Sequence, residues 1–219
     1  NICLVCAATL VASALGSMVF ARRQRASLWI ACLGSLAACI VGAVVSGRSL
    51  YDASTESLSI AWTLPMGAFH VGLDATSAFF LLVLFVTAGL TSVYAAGYGM
   101  AHEPHGAAFD SGWTNLMIAS MVVILLARDA VLFLMAWEAM SIVSFFLVTK
   151  EHERDDVRHA GYVYLVASHI GTVFIFLLFA WLYRHTGTLD IDAWTAGRAG
   201  SVGFSGAAFL LAVVGFGTK

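Results

Sequence analysis

Three ionisable side chains lie inside stretches of sequence that are otherwise apolar: Glu138, His169 and Lys219. A charge at the centre of a bilayer costs at least about 2.5–3.5 kcal/mol on insertion scales, so residues of this kind are candidates for function. A carboxyl group, an imidazole and an amine can each take up and release a proton. We therefore expect these three residues to bind protons and pass them on.

Glu138 is the strongest of the three candidates. It is the ninth residue of an apolar run that begins at Ala130, which puts it about 12–13 Å into a helix, near the middle of a bilayer. Ser141 follows one turn later, where its hydroxyl can bond the carboxylate or a water molecule. Burial favours a neutral acid and a nearby cation favours a carboxylate, so a moving cation would load and unload a proton. The alternative is a protonated glutamate that only packs helices together.

Lys219 and His169 are the candidate partners. An amine in hydrocarbon is stabilised by an acid, so Lys219 is a natural partner for Glu138 and a proton carrier once the two separate. Lys219 can equally be a helix-end lysine that reaches the membrane interface. His169, with Thr172 one turn on, is either a proton relay or a neutral histidine bonded to the helix backbone.

The composition indicates that these residues are carried by membrane helices. Apolar residues make up 60% of the 219 residues and charged residues 11%, against roughly 45–50% and about 25% in soluble domains. A bilayer core about 30 Å thick needs about 20 apolar residues per helix. We predict an all-α, polytopic bundle forming a single membrane domain over residues 1–219, with helices near 2–21, 27–45, 74–96, 113–127, 130–149, 161–183 and 206–219.

A polar stretch separates the second and third predicted helices. Its short alternating segments on either side of Pro65–Met66–Gly67 predict a small β-hairpin at the membrane surface. Loops after the first, third and fifth helices carry more Arg and Lys than the opposite loops, which puts the N-terminus and the hairpin outside. The last apolar run stops at Lys219, and carbonyls cannot stay unpaired in lipid, so we expect the chain to be a piece of a longer protein.

Other kinds of site find little support. The four cysteines lie in the first two apolar runs and suit helix packing, since a zinc site would need further ligands nearby. The sequence has no phosphate-binding glycine loop, nicotinamide fingerprint or iron–sulfur spacing, and a haem would need a second histidine in mid-helix. The net charge of -2 does not favour a nucleic-acid surface. We expect no cofactor, no metal and no redox chemistry on this chain.

The region around Glu138 resembles a known family. The run LFLMAWEAMSIVSFFLV, from Leu132 to Val148, resembles the fifth-helix motif of the antiporter-like subunits of complex I, multisubunit sodium/proton antiporters and membrane-bound hydrogenases. GFGTK, from Gly215 to Lys219, resembles the start of the seventh-helix lysine motif, and LDATSAFF, from Leu73, the start of the third helix. Within the family, the fifth and sixth helices look most like component B of group-four hydrogenases of the formate hydrogenlyase type.

The resemblance implies a fold of about fourteen helices, of which this chain is the front part. It also implies that Glu138 and Lys219 form the family's interacting charge pair. The implied function is proton translocation driven by redox energy, with other membrane subunits of a hydrogenase or complex I-like assembly as partners, in the bacterial inner membrane. Two alternatives stay open: a subunit of a sodium/proton antiporter without a redox partner, and a structural anchor whose buried charges only hold helices together.

Overall fold

A computed structural model describes residues 2–62, 66–102, 107–194 and 206–219. In these ranges, α1 to α6 are long and apolar enough to cross a membrane. This confirms the prediction of an all-α polytopic fold. The elements are α1 Ile2–Val19, α2 Gln24–Asp52, β1 Glu56–Ile60, β2 Phe69–Leu73, α3 Ala75–His102, α4 Ala107–Leu126, α5 Ala130–Val148, α6 Asp155–Thr186, α7 Ile191–Ala193 and α8 Gly206–Gly217.

Several helices are longer than the apolar runs from which they were predicted. α2 continues to Asp52 instead of ending near residue 45, and α6 begins at Asp155 instead of near residue 161. The added turns are polar, and a polar sequence continues a helix in water as readily as an apolar one does in lipid. In α6 the first turn is acidic and the last turn is basic, which suits the helix dipole. The apolar run marks the membrane span and underestimates the helix.

The predicted hairpin is present between α2 and α3. β1 and β2 pair to form a two-stranded sheet. Gly67, in the predicted turn, has a φ of 77°, which glycine adopts without steric cost. Pro65, the other residue on which the turn was predicted, lies outside the described residues.

The described chain divides into two compact units, and the prediction of one membrane domain over residues 1–219 stays a prediction. The first unit, Asn1–Ser57 with Gly72–Leu126, contains α1 to α4. Its helices approach closely through small residues, since a Cβ at Gly42 would overlap the ring of Phe85. Asn115 Nδ2 donates to Ser13 Oγ and to the Ala31 carbonyl, each at 3.0 Å. The four cysteines are buried and free, as expected for small packed residues: Cys3, Cys6, Cys32 and Cys39.

The second unit, Leu58–Val71 with Ala127–Lys219, contains all three candidate residues. The buried side chain of Asp129, at the start of α5, connects two parts of this unit. This carboxylate caps the helix by accepting from Val131 N at 2.9 Å and Leu132 N at 3.2 Å. It also accepts from Ala68 N of the hairpin at 3.2 Å. One carboxylate thus joins the hairpin to the first turn of α5.

Helices α6 and α8 pack with their backbones in contact. A Cβ at Gly171 of α6 would lie 3.0 Å from the Gly215 carbonyl oxygen of α8, and a Cβ at Gly215 would lie 3.0 Å from Ile175 N. At both positions a Cβ would also overlap a side chain, Thr218 at Gly171 and Ile175 at Gly215, so the close packing favours glycine. This close approach brings the end of α8, with Lys219, to the helices that carry Glu138 and His169.

Candidate functional site

Glu138 lies at the middle of the nineteen-residue helix α5, and one of its carboxylate oxygens faces an imidazole. Oε2 is 3.4 Å from Nε2 of His169, and the two side chains are 30% and 50% exposed. The other oxygen, Oε1, is buried and has no hydrogen-bond partner among the described residues. The carboxylate therefore has one oxygen in contact with a titratable group and one oxygen without a partner.

His169 makes the backbone contact that was one of its two predicted alternatives, and its role as a proton relay stays a prediction. Its Nδ1 is 2.8 Å from the Leu165 carbonyl oxygen, one turn earlier in α6. A carbonyl only accepts hydrogen bonds, so Nδ1 carries a hydrogen. Nε2 then remains for the contact with Glu138. The backbone bond fixes the ring in the orientation that faces the acid.

Lys219 is held one helical turn away from Glu138. Its Nζ donates to Ser141 Oγ and, at 3.4 Å, to the Trp137 carbonyl. It also lies 5.0 Å from the centroid of the Trp137 ring, in cation–π geometry. Within the described chain Lys219 forms no ion pair with Glu138, although the carboxylate is near enough to act on it electrostatically. The pairing of Glu138 with Lys219 stays a prediction.

Ser141 connects Lys219 to α6 and does not bond the carboxylate of Glu138. Its hydroxyl donates to the Trp137 carbonyl at 2.9 Å, so its oxygen is left to accept. It accepts from Lys219 and from the hydroxyl of Ser168 at 3.1 Å. Thr172 donates to the Ser168 carbonyl at 3.2 Å and, with Glu138, lines an open groove of about 540 Å³. The polar side chains predicted near Glu138 are thus close to it, and they form a separate chain of hydrogen bonds.

The role of Trp137 was not predicted from the sequence. Its ring stacks on Phe133 at 5.7 Å and meets Phe216 of α8 edge-on at 5.6 Å, beside the Lys219 ammonium. The available signal was spacing, because Phe133, Trp137 and Ser141 recur every four residues and so share one face of α5. The position of an aromatic residue next to a buried acid in the sequence does not by itself predict this role. The site therefore offers a carboxylate beside an imidazole, and an amine beside a tryptophan.

A second group of charged residues lies beside the hairpin. His70, Asp190 and Asp192 bring one potential ligand atom each to within 4.8 Å of the others. His70 Nδ1 is 3.4 Å from Asp190 Oδ2, and Arg128 Nε is 3.6 Å from Asp192 Oδ1. Asp190 also caps α7 by accepting from Asp192 N and Ala193 N. The guanidinium and the cap already account for these carboxylates, so ion pairing explains the group without a metal.

Comparison with known proteins gives related membrane subunits. Residues 127–219 match the family described as NADH:quinone oxidoreductase/Mrp antiporter, transmembrane. Hydrogenase-4 component B of Escherichia coli (strain K12) is 30% identical over 207 residues, which are 94% of this chain and 30% of that protein. NADH-quinone oxidoreductase subunit L of the same organism is 31% identical over 134 residues, 59% of this chain and 22% of that protein. The chain thus spans less than a third of the length of these relatives.

Solved structures have the same fold at lower identity. A chain of the Mrp complex from Dietzia sp. DQ12-45-1b superposes with a TM-score of 0.76 at 19% identity, covering 100% of this chain and 24% of that one. A chain of an archaeal respiratory membrane complex, the membrane-bound sulfane sulfur reductase, gives 0.72 at 20% identity, covering 95% and 33%. With the sequence matches, these findings confirm the resemblance drawn from the motifs around Glu138 and Lys219. Residues 127–219 thus match this family, and the chain is similar to antiporter-like membrane subunits of NADH:quinone oxidoreductases, hydrogenases and Mrp antiporters.

Proposed function

We propose that this chain is the front part of a proton-translocating subunit in a bacterial inner-membrane redox complex. The parent complex is of the hydrogenase type, because hydrogenase-4 component B is similar over nearly the whole chain. Its partners are the other membrane subunits of that complex, and it couples their redox energy to proton movement. The observation that carries the proposal is a carboxylate in the middle of α5 with a histidine and a lysine on neighbouring helices.

The proposed cycle changes the distance between Glu138 and Lys219. In a closed arrangement Lys219 leaves Ser141 and approaches Glu138, and the carboxylate holds the ammonium in its protonated form. In an open arrangement, with Lys219 on Ser141, that stabilisation is weaker and a proton can move on through water and hydroxyl groups. The structure has an arrangement of this second kind, since Lys219 contacts Ser141.

The energies are of the right order for this cycle. Moving one charge against 100 mV costs about 2.3 kcal/mol. Two unit charges at 4 Å interact by about 4 kcal/mol at an effective dielectric constant of 20. The change in interaction energy when a single carboxylate–ammonium contact opens or closes therefore exceeds the cost of moving one proton against a typical membrane potential.

The test is Glu138→Gln in the complete complex, reconstituted into lipid vesicles. We expect proton pumping to be lost, because the amide cannot ionise and so cannot hold the ammonium. Redox turnover should continue. Glu151→Gln is the matched control, since Glu151 pairs with Arg154 in the exposed loop between α5 and α6. Undiminished pumping in the Glu138 variant would contradict the proposal, and poor assembly with normal pumping per assembled complex would favour a structural anchor.

A second candidate function is ion exchange without a redox partner, as in Mrp antiporters. The family description names both classes, and the fold matches a chain of an Mrp complex. The two are separated by adding a sodium gradient to the vesicles in the absence of any redox substrate. Proton movement under these conditions would favour the antiporter, and its absence favours the redox-driven pump.

A further inference from the structure

We infer that Glu138 and His169 hold a single proton between them, and that the position of Lys219 decides which of the two carries it. The inference deepens the proposed function and rests on it, because it assigns a further proton to the two residues that Lys219 approaches in the same cycle. It comes from the contacts that the two side chains make.

The first step is the tautomer of His169. Nδ1 must carry a hydrogen, because its partner at 2.8 Å is the Leu165 carbonyl, which can only accept. The state of the ring therefore depends on Nε2 alone. With a lone pair on Nε2 the imidazole is neutral, and with a hydrogen on Nε2 it is an imidazolium.

The second step is to count the protons between Nε2 of His169 and Oε2 of Glu138, which are 3.4 Å apart. With one proton, the contact is either acid to neutral imidazole or carboxylate to imidazolium, and both states have a summed charge of zero. With no proton, a lone pair of Nε2 faces a lone pair of Oε2, and the negative charge of the carboxylate is not compensated within the pair. With two protons, two hydrogens face each other. Only the one-proton state is attractive, and it carries no net charge into the membrane.

The third step is the effect of Lys219. The titratable groups that face Glu138 from the packed helices of the described chain are His169 on α6 and Lys219 at the end of α8. Oε1 is buried without a partner among the described residues, so it is the oxygen that an approaching ammonium can bind. The approach favours the carboxylate, so the proton leaves Oε2 and bonds to Nε2. When Lys219 withdraws, the proton returns from Nε2 to Oε2.

The exposure of the two residues gives this transfer a direction. The side chain of His169 is half exposed and lies beside an open groove of about 370 Å³, formed by one face of α6. Glu138 is less exposed. The proton is therefore on the more buried group when Lys219 is away, and it is on the more exposed group when Lys219 is near. Lys219 acts as the switch for release.

The experiment uses His169→Gln in the complete, vesicle-reconstituted complex. We expect proton pumping to fall by about tenfold or more, since the amide cannot take the proton from Glu138. The double variant should pump no less than Glu138→Gln alone, since the pair acts as a unit.

His185→Gln is the matched control. His185 is on the same helix and makes the same Nδ1 contact to a carbonyl one turn earlier, Trp181 O at 2.8 Å. Within the described residues it has no carboxylate at ion-pair distance. Its replacement should leave pumping unchanged. Full pumping in His169→Gln, with pumping lost in Glu138→Gln, would overturn the inference and leave the proposed function standing.

A spectroscopic measurement covers the case in which His169→Gln does not assemble. The carboxylic acid of Glu138 gives an infrared carbonyl band, assigned by its loss in Glu138→Gln. During redox turnover, in which Lys219 takes both positions, Lys219→Met should strengthen this band because the proton then stays on the acid. A band that Lys219→Met leaves unchanged would overturn the inference.

Discussion

At the scale of single residues, Ser141 is the point where the hydrogen bonds of the site meet. Its oxygen accepts from the Lys219 ammonium and from the Ser168 hydroxyl, while its own hydrogen goes to the backbone. A hydrogen bond to a charged group contributes about 1.5–3 kcal/mol, more than a neutral one. Ser141 is therefore the residue that holds Lys219 in the open arrangement.

Ser141→Ala should disturb the cycle without removing any titratable group. We expect pumping per redox turnover to fall by about tenfold, because a lost charge-assisted bond of about 1.5 kcal/mol changes an equilibrium by that factor. Ser120→Ala is the control, since the Ser120 hydroxyl also bonds a carbonyl one turn earlier, in a helix that carries none of the site residues. Equal pumping in the two variants, measured in vesicles, would contradict the role given to Ser141.

The sequence was informative about these residues for a physical reason. Glu138, His169 and Lys219 stand out because a charge in hydrocarbon is costly, and that cost can be read without a structure. The 3.4 Å contact between Glu138 and His169 could not be read in this way. It depends on how far α5 and α6 are rotated and shifted against each other, and periodicity within one helix does not contain that information.

At the scale of helices, the register of the site is set by the glycine contact between α6 and α8. Gly171 and Gly215 allow the two backbones to touch, and Lys219 follows Gly215 by four residues. Any side chain added at this contact must push α8 outward. The ammonium would then move away from Ser141 together with the end of the helix.

Gly171→Ala tests this arrangement. The added methyl would overlap Thr218 and lie 3.0 Å from the Gly215 carbonyl, so backbone must move, at a cost of about 1–3 kcal/mol. We expect a lower melting temperature of the complex and reduced pumping. Gly47→Ala is the matched control, because Gly47 also lies within a helix and a methyl group added there would meet no described atom within 4 Å. A Gly171 variant as stable and active as the Gly47 variant would contradict the packing argument.

The helices themselves were predictable, and their ends were less so. Each apolar run forms a helix, as predicted, and the hairpin predicted from the Pro–Met–Gly sequence is present. Both kinds of element could be predicted because they depend on local sequence. The charged start of α6 at Asp155 was assigned to a loop because it cannot enter lipid. Membrane insertion decides where a span ends, whereas caps and dipole interactions decide where a helix ends, and the two points differ by six residues here.

At the scale of the whole molecule, α5 separates the two membrane surfaces of the second unit. Its first turn is joined to the hairpin through Asp129 and Ala68. Its last turn leads into the charged loop in which Arg154 pairs with Glu151 and Asp156. Since α5 is long and apolar enough to cross a bilayer, we expect the hairpin and this loop to lie on opposite sides. The larger number of Arg and Lys residues in the opposite loops predicts that the hairpin is outside.

Cysteine labelling can test this topology in intact cells. Ser59→Cys in β1 and Glu153→Cys in the charged loop are both at exposed positions. We expect a membrane-impermeant thiol reagent to label Ser59→Cys in intact cells and Glu153→Cys only after the membrane is opened. The four native cysteines are buried, so the unsubstituted protein serves as the unlabelled control. Labelling of Glu153→Cys in intact cells would reverse the orientation.

The tie at Asp129 has a mechanical consequence. The Arg128 amide bonds the His70 carbonyl at 2.9 Å, and the Ile191 amide bonds the Arg128 carbonyl at 2.8 Å, so the start of α5 is fastened on two sides as well as capped. A rod clamped at one end bends about that end. A load applied to the hairpin would therefore be transmitted along α5 as a tilt, and Glu138, nine residues from the pivot, would travel farther than the residues beside the clamp.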